Sequence, residues 1–167
     1  NVRYWLLSPR RLGAWQPEII PFHIYSLPSG KSAQIYGILG LSCIEDGFIE
    51  KMPLITGGKY FSSDDADEVI IPSAIADAIG ITADKLEKQY IVFKNIELKV
   101  VGILNDNAFR NICDIDGRPL LPIQIKKQAD KSAEETLTMG TTTADEGEGA
   151  GVEYVDTSAM IIVPART

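Results

Sequence analysis

Apolar residues along this chain fall mostly into short runs of period two, separated by turn residues, and that pattern predicts strands. Residues 18–27 (EIIPFHIYSL) carry an apolar run interrupted by Pro21, which predicts an edge strand or two short strand pieces. Ser29-Gly30 marks a turn, and residues 32–39 are expected to form the next strand. Gly57-Gly58 marks another turn. Pro9, Pro17, Pro21 and Pro28 argue against any long helix in the first thirty residues.

The pattern is clearest over residues 68–104. Residues 68–72 (EVIIP) predict a short buried strand. Ser73 is placed as a helix N-cap, Ile75, Ala76 and Ile79 share one helical face, and Gly80 stands where a left-handed terminator belongs. A polar patch covers residues 82–89. The stretch YIVFKNIELKVVGIL (90–104) then alternates around Lys94-Asn95, which predicts a hairpin. Residues 105–122 are expected to loop out. Residues 129–151, rich in acids, threonine and glycine, predict a mobile acidic loop. Residues 159–163 (AMIIV) close the pattern with a buried strand. The fold class this implies is α+β, a β-rich mixed sheet with one or two short helices. Its expected core comprises Ile35, Val69, Ile71, Ile79, Ile91 and Phe93 from the first stretch. Leu98, Val100, Ile103, Ile161 and Val163 complete it.

Composition narrows the class of function. The chain has 167 residues, 45% hydrophobic and 23% charged, as a globular chain of one domain or two small subdomains does. A net charge of −7 argues against nucleic acid and against anionic lipid as partners. The acidic excess lies entirely beyond residue 60. No apolar stretch approaches the ~20 residues of a membrane span. No signal peptide is visible, and the chain begins without Met, so it is expected to be an excised segment of a longer protein. Cys43 and Cys113 are expected to be buried free thiols, with a disulfide as the alternative.

Motifs that could carry chemistry are each incomplete. Ser29-Gly30-Lys31-Ser32 ends like a phosphate-binding loop. Tyr25, however, stands where the first glycine is needed, and Pro28 removes a backbone donor. A hairpin turn is the simpler assignment. Gly40-Leu41-Ser42 begins like a nucleophile elbow, but Ile44 replaces the second glycine. The one histidine, His23, lies in a strand pattern and is expected to be a packed or half-exposed strand residue. One His and two distant Cys do not fit zinc spacings. The Asp114–Gly117 turn lacks a carboxylate at Ile112, the first ligand position of a calcium loop. Asp64, Asp65, Asp67 and Glu68 are expected to form a solvated turn, because close carboxylates repel. Tyr4, Trp5 and Trp15 either fill the core or form a contact surface. No catalytic, cofactor-binding or metal-ligating residue is assigned, and no cofactor is expected.

An ordered series carries a resemblance. Leu54 is followed by Gly57-Gly58-Lys59-Tyr60-Phe61, by Asp64-Asp65, and by Glu68-Val69-Ile70-Ile71-Pro72-Ser73. Ala76, Ala78-Ile79-Gly80, Tyr90-Ile91-Val92-Phe93 and Val100-Val101-Gly102-Ile103-Leu104 come next. This order resembles the extracytoplasmic domain (the periplasmic core domain) of ABC-transporter permeases of the MacB/FtsX/LolC type. Gln34-Ile35-Tyr36-Gly37-Ile38 and the closing AMIIVPART agree with its flanks, so the resemblance covers about residues 33–104 and 152–167.

The resemblance implies a non-catalytic domain on the outer side of the cell membrane. There it couples cytoplasmic ATP hydrolysis to export, lipoprotein release or partner activation. Implied partners are an ABC ATPase, reached through the membrane helices of the parent, a second permease copy, and an extracytoplasmic protein, lipoprotein or small-molecule cargo. Two other classes are weighed against it. One is a freestanding secreted or cell-surface binding module. The other is an enzyme using carboxylates such as Asp64 or Asp114.

Overall fold

The computed structural model describes residues 21–43, 52–55, 57–113, 117–125 and 152–166. Their fold is α+β and β-rich. Strands β1 (Phe22–Ser26), β2 (Ser32–Ile35), β3 (Gly37–Leu41) and β4 (Glu68–Pro72) come first. Helix α1 (Ser73–Ile79) and a 3-10 helix (Ala83–Lys88) follow. Then come β5 (Tyr90–Phe93), β6 (Ile96–Leu104) and the short helix α2 (Asp106–Phe109). Strands β7 (Ile123–Ile125) and β8 (Val152–Tyr154), a 3-10 turn (Thr157–Ala159) and β9 (Met160–Pro164) end the chain. One mixed sheet of seven strands runs in the order β2-β1-β5-β6-β4-β9-β3, and β7 pairs with β8 in a separate ribbon.

The two end strands of that sheet, β2 and β3, are consecutive in the chain and separated by Tyr36 alone. Seven strands laid flat would hold the end strands roughly 29 Å apart. Ile35 and Gly37, two residues apart, are separated by at most about 7.6 Å. The sheet must therefore curl until its ends meet, giving a barrel-like closure with β2 and β3 as one bent strand. The strand expected over residues 32–39 is thus two strands. It pairs with β1 through its first half and with β9 through its second. Tyr36 keeps the second ladder intact, its N–H donating to the Ala159 carbonyl at 2.7 Å.

All seven strands of the sheet feed one apolar cluster, which is the barrel interior. Ile24, Ile35, Val69, Ile71, Ile91, Leu98, Val100, Ile103 and Ile161 are buried there, and Ile38 packs against them. Helix α1 adds Ile75, Ala76 and Ile79 from one face, as its spacing predicts. Nine of the eleven expected core residues are buried in this cluster. Phe93 and Val163 pack against it half-buried. At the hairpin end, Phe22 and Phe93 meet edge to face at 5.6 Å, with the Lys94 ammonium 4.5 Å from the Phe22 ring centre.

A second cluster lies outside the barrel, over β3, β4, β9 and the end of β6. Leu39, Leu41, Ile70, Leu104, Met160 and Ile162 point outward into it. Met52, Phe61, Phe109, Leu120, Leu121 and Val155 cover them. A bulge in β6 makes this possible. Val69 pairs with Val100 but Ile70 with Gly102, so Val101 is the extra residue and both faces stay in phase beyond it.

Several expectations need correction. β1 is not an edge strand but lies between β2 and β5. Pro21 precedes its first residue, so the missing N–H costs the ladder nothing. Ser73 is not the N-cap of α1. Pro72 holds that position, and the carboxylate of Asp106 accepts from the Ser73 and Ala74 N–H groups at 2.8 and 3.1 Å. A side chain 33 residues away thus does the capping. Residues 105–122 do not simply loop out. Asn105 caps α2 through the Ala108 N–H, and Phe109, Leu120 and Leu121 are buried. The Lys94-Asn95 hairpin is present, both residues lying at positive φ (48° and 66°) as a two-residue type I′ turn requires. Gly80 ends α1 at φ 75°, the predicted left-handed terminator. The expected mobile loop at 129–151 lies outside the described residues.

Gly37 sits at the closure, where a Cβ would come within 2.9 Å of Pro122 Cγ and 3.2 Å of Val155 Cγ1. Gly37→Ala is therefore expected to lower the urea midpoint by the equivalent of about 1–3 kcal/mol, as overpacking does. At Gly40 a Cβ would meet nothing nearer than Ala165 Cα at 3.8 Å. Gly40→Ala is expected to be neutral or stabilising by up to about 1 kcal/mol.

Candidate functional site

The residues singled out in the sequence scatter over the fold. Ser29-Gly30-Lys31-Ser32 forms the β1–β2 turn, with Gly30 at φ 66°. The Ser29 hydroxyl donates to the Ile79 carbonyl at 2.6 Å, and Lys31 Nζ lies near Gly80. Both groups serve the carbonyl end of α1, where a donor and a cation are favourable. His23 is exposed on β1, its Nε2 hydrogen-bonded with the Gln34 amide at 3.2 Å. Ser42 lies beyond the far end of β3, eight residues along the bent β2–β3 strand from Gln34, the residue that pairs with His23, so the elbow-like serine is not brought to the histidine. Gly117 lies at φ 74°, while Asp114 and Asp116 fall outside the described residues. Tyr4, Trp5 and Trp15 also lie outside them.

One polar junction does form, and it corrects the expectation of a wholly solvated acidic turn. The half-buried Asp64 carboxylate accepts from the Cys43 N–H at 2.7 Å. It also accepts from the Ser42 hydroxyl at 3.0 and 3.1 Å. The Tyr60 hydroxyl donates to the Ser42 carbonyl at 3.3 Å, and the Arg166 N–H donates to the Asp64 carbonyl at 3.1 Å. Three segments are tied together here: the end of β3, residues 60–64, and the chain after β9. The other acids of the run point elsewhere. Glu68 accepts from the Ser62 N–H at 2.7 Å, and Asp65 and Asp67 are exposed.

The junction sets the electrostatics of its members. The Cys43 N–H holds the Asp64 carboxyl below the usual aspartate range. Burial opposes this, and the Cys43 thiol, the Ser42 hydroxyl and the Arg166 charge reinforce it. Such a carboxylate is a weaker base than a free one, and the Ser42 hydroxyl is committed to it. The Cys43 thiol is pushed up, first by burial and then by its hydrogen bond to Asp64 and that group's charge. Both cysteines are free, but neither is buried as expected: Cys43 is half-buried and Cys113 exposed. The chemistry this arrangement performs is cross-linking by hydrogen bonds. Among the described residues, no group of three or more His, Cys, Asp or Glu could hold a metal ion.

A second candidate is a surface. The second cluster takes residues from β3, β4, β6 and β9 but none from β1, β2 or β5. The outward residues of those three strands stay open or half-open: His23, Tyr25 and Leu27 at β1, Ser32 and Gln34 on β2, Tyr90 and Val92 on β5. Tyr25 and Leu27 are each 50% exposed, and Tyr36 adds a 38% exposed ring whose hydroxyl donates to Gln34 Oε1 at 3.3 Å. None of these residues is an aspartate, glutamate, lysine or arginine. Sequence reasoning missed this face. Its signal was present in the alternation of FHIYSL, where the outward positions are His23, Tyr25 and Leu27.

No protein-family model matches the chain, and no curated protein matches it.

Two measurements check the junction. A depressed carboxyl adds stability above its unfolded value, near 3.9, and loses it as pH falls through the folded value. Asp64→Asn is thus expected to cost about 1–3 kcal/mol in urea unfolding at pH 7. That gap should narrow as pH falls below about 4. A gap independent of pH would show that the carboxylate charge does not matter. With a maleimide probe near neutral pH, Cys113 should label before Cys43. Asp64→Asn should speed labelling of Cys43 while leaving Cys113 unchanged.

Proposed function

We propose that this chain is an extracytoplasmic domain of an ABC-type permease of the MacB/FtsX/LolC type. Its role would be to couple cytoplasmic ATP hydrolysis to export, lipoprotein release or partner activation outside the membrane. The ordered motif series of residues 33–104 and 152–167 is the ground for this reading. One structural observation supports it. The two stretches, far apart in the chain, interleave in a single closed sheet. β9 from the second stretch pairs with both β4 and β3 from the first.

A body of that kind suits mechanical coupling. Closed ladders and a close-packed interior pass a displacement on rather than absorb it. The series residues occupy the strands and turns that stiffen it. Gly58 and Gly102 bring two backbones together, each leaving no room for a Cβ without contacts of 3.1–3.2 Å. Lys59 N–H donates to Val101 O across that approach at 2.8 Å. The partners under this reading are an ABC ATPase reached through the parent's membrane helices, a second permease copy, and an extracytoplasmic protein, lipoprotein or small-molecule cargo. Among the described residues no helix is long and apolar enough to cross a membrane.

The coding sequence on both sides of this segment tests the proposal. One apolar span of ~20 residues upstream and three downstream, beside an ATPase gene, is the expected result. A signal peptide running directly into Asn1, with a stop after Thr167, would overturn it in favour of a freestanding binding module.

A further inference from the structure

We infer that Asp64 is a clasp that couples the chain leaving β9 to the end of β3, so that displacing one loosens the other. Strands β3 and β9 run parallel, and their ladder ends at the pair Leu41 and Pro164. Pro164 has no N–H to give that last rung. Just past it, Asp64 bridges the two departing chains from a third segment. Its carboxylate holds the Ser42 hydroxyl at 3.0 Å and the Cys43 N–H at 2.7 Å. Its main-chain carbonyl accepts from the Arg166 N–H at 3.1 Å, and the Arg166 charge acts on the same carboxylate. One residue thus makes a further rung that β3 and β9 share.

The clasp has a firm base. The Lys59 N–H donates to the Val101 carbonyl at 2.8 Å, and Phe61 is buried in the outer cluster. Glu68, the first residue of β4, accepts from the Ser62 N–H at 2.7 Å. Residues 59–68 are therefore fixed to β6 on one side of Asp64 and to β4 on the other. A pull on the chain at Arg166 meets this base before it can strip β9 from its neighbours. The displacement passes to β3, β4 and β6 together.

Coupling of this kind is reciprocal. Whatever freeing Arg166 does to the hold on Cys43, freeing Cys43 does to the hold on Arg166. Arg166 is exposed, so the chain there can be moved from outside. Cys43 reports the state of the clasp, because its half-buried thiol is hydrogen-bonded to the Asp64 carboxylate. In a permease the same clasp would carry movement of the following segment into the sheet. That use rests on the permease reading; the coupling itself does not.

Maleimide labelling of the full chain tests the coupling. Arg166→Pro removes both the N–H and the charge that Asp64 receives. Labelling of Cys43 should then quicken about two- to tenfold, the factor that one such hydrogen bond is worth. The exposed Cys113 should keep its rate. In an Asp64→Ala background Cys43 should label fast already, and Arg166→Pro should add nothing, as positions acting through one shared partner do. Gly37→Ala, which crowds the closure, controls for global opening and should leave Cys43 labelling unchanged. In the reverse direction, capping Cys43 with N-ethylmaleimide should speed amide exchange at Arg166 by a similar factor. The inference is overturned by no gain in Arg166→Pro, by a gain that persists without Asp64, by an equal gain in Gly37→Ala, or by an unchanged Arg166 amide. Every arm uses this chain alone, so its failure leaves the permease reading standing. That reading can in turn fail on genomic context while the clasp holds.

Discussion

A single residue between β2 and β3 imposes the shape of this protein. Tyr36 joins the two end strands of a seven-stranded sheet, so the ladder has to return to where it began. Every other feature accommodates that closure. Gly37 is bare because Pro122 and Val155 crowd the bend. The extra residue in β6 restores phase between the parallel strands β4 and β6. Helix α1, only seven residues long, lies against the interior because the curled sheet needs a filler there.

Polar side chains then fasten the ends that closure leaves loose. Asp106 caps α1 at its start, and Ser29 with Lys31 serves its end. Asp64 ties the end of β3 to residues 60–64 and to the chain after β9. Arg110 pairs with Asp156 at 3.0 Å, but both side chains are about half exposed, so the pair adds little. Each strong fastening is made by a carboxylate or hydroxyl to backbone groups far away in sequence. Bonds of that kind fix relative positions more than they add net stability.

The distribution of apolar surface divides the molecule into two halves of different use. Over β3, β4, β9 and the end of β6 the sheet is covered on both sides and behaves as a core. Over β1, β2 and β5 the described residues form a buried cluster on the inside only, and the outer face carries Tyr25, Tyr90 and Val92. A coupling domain needs both: a rigid part that carries a displacement and an open part that meets something.

Local sequence determined everything that depends on neighbours in the chain. Short apolar runs placed β4 and β9, alternation placed β5 and β6, and Lys94-Asn95 placed the hairpin, because turn type depends on two residues with positive φ. The inward residues were legible for the same reason: alternation separates two faces, and all eleven core expectations fell in or against the interior cluster. Alternation cannot say whether the other face is also covered, so Ile70, Leu104, Phe109 and Ile162 were not assigned to a core. Covering them takes residues from 52 to 155, and only tertiary structure supplies those. The break at Tyr36, the cap from Asp106 and the Asp64 junction were hidden in the same way. Each depends on which segments meet across the closed sheet, and no window of neighbouring residues contains that information.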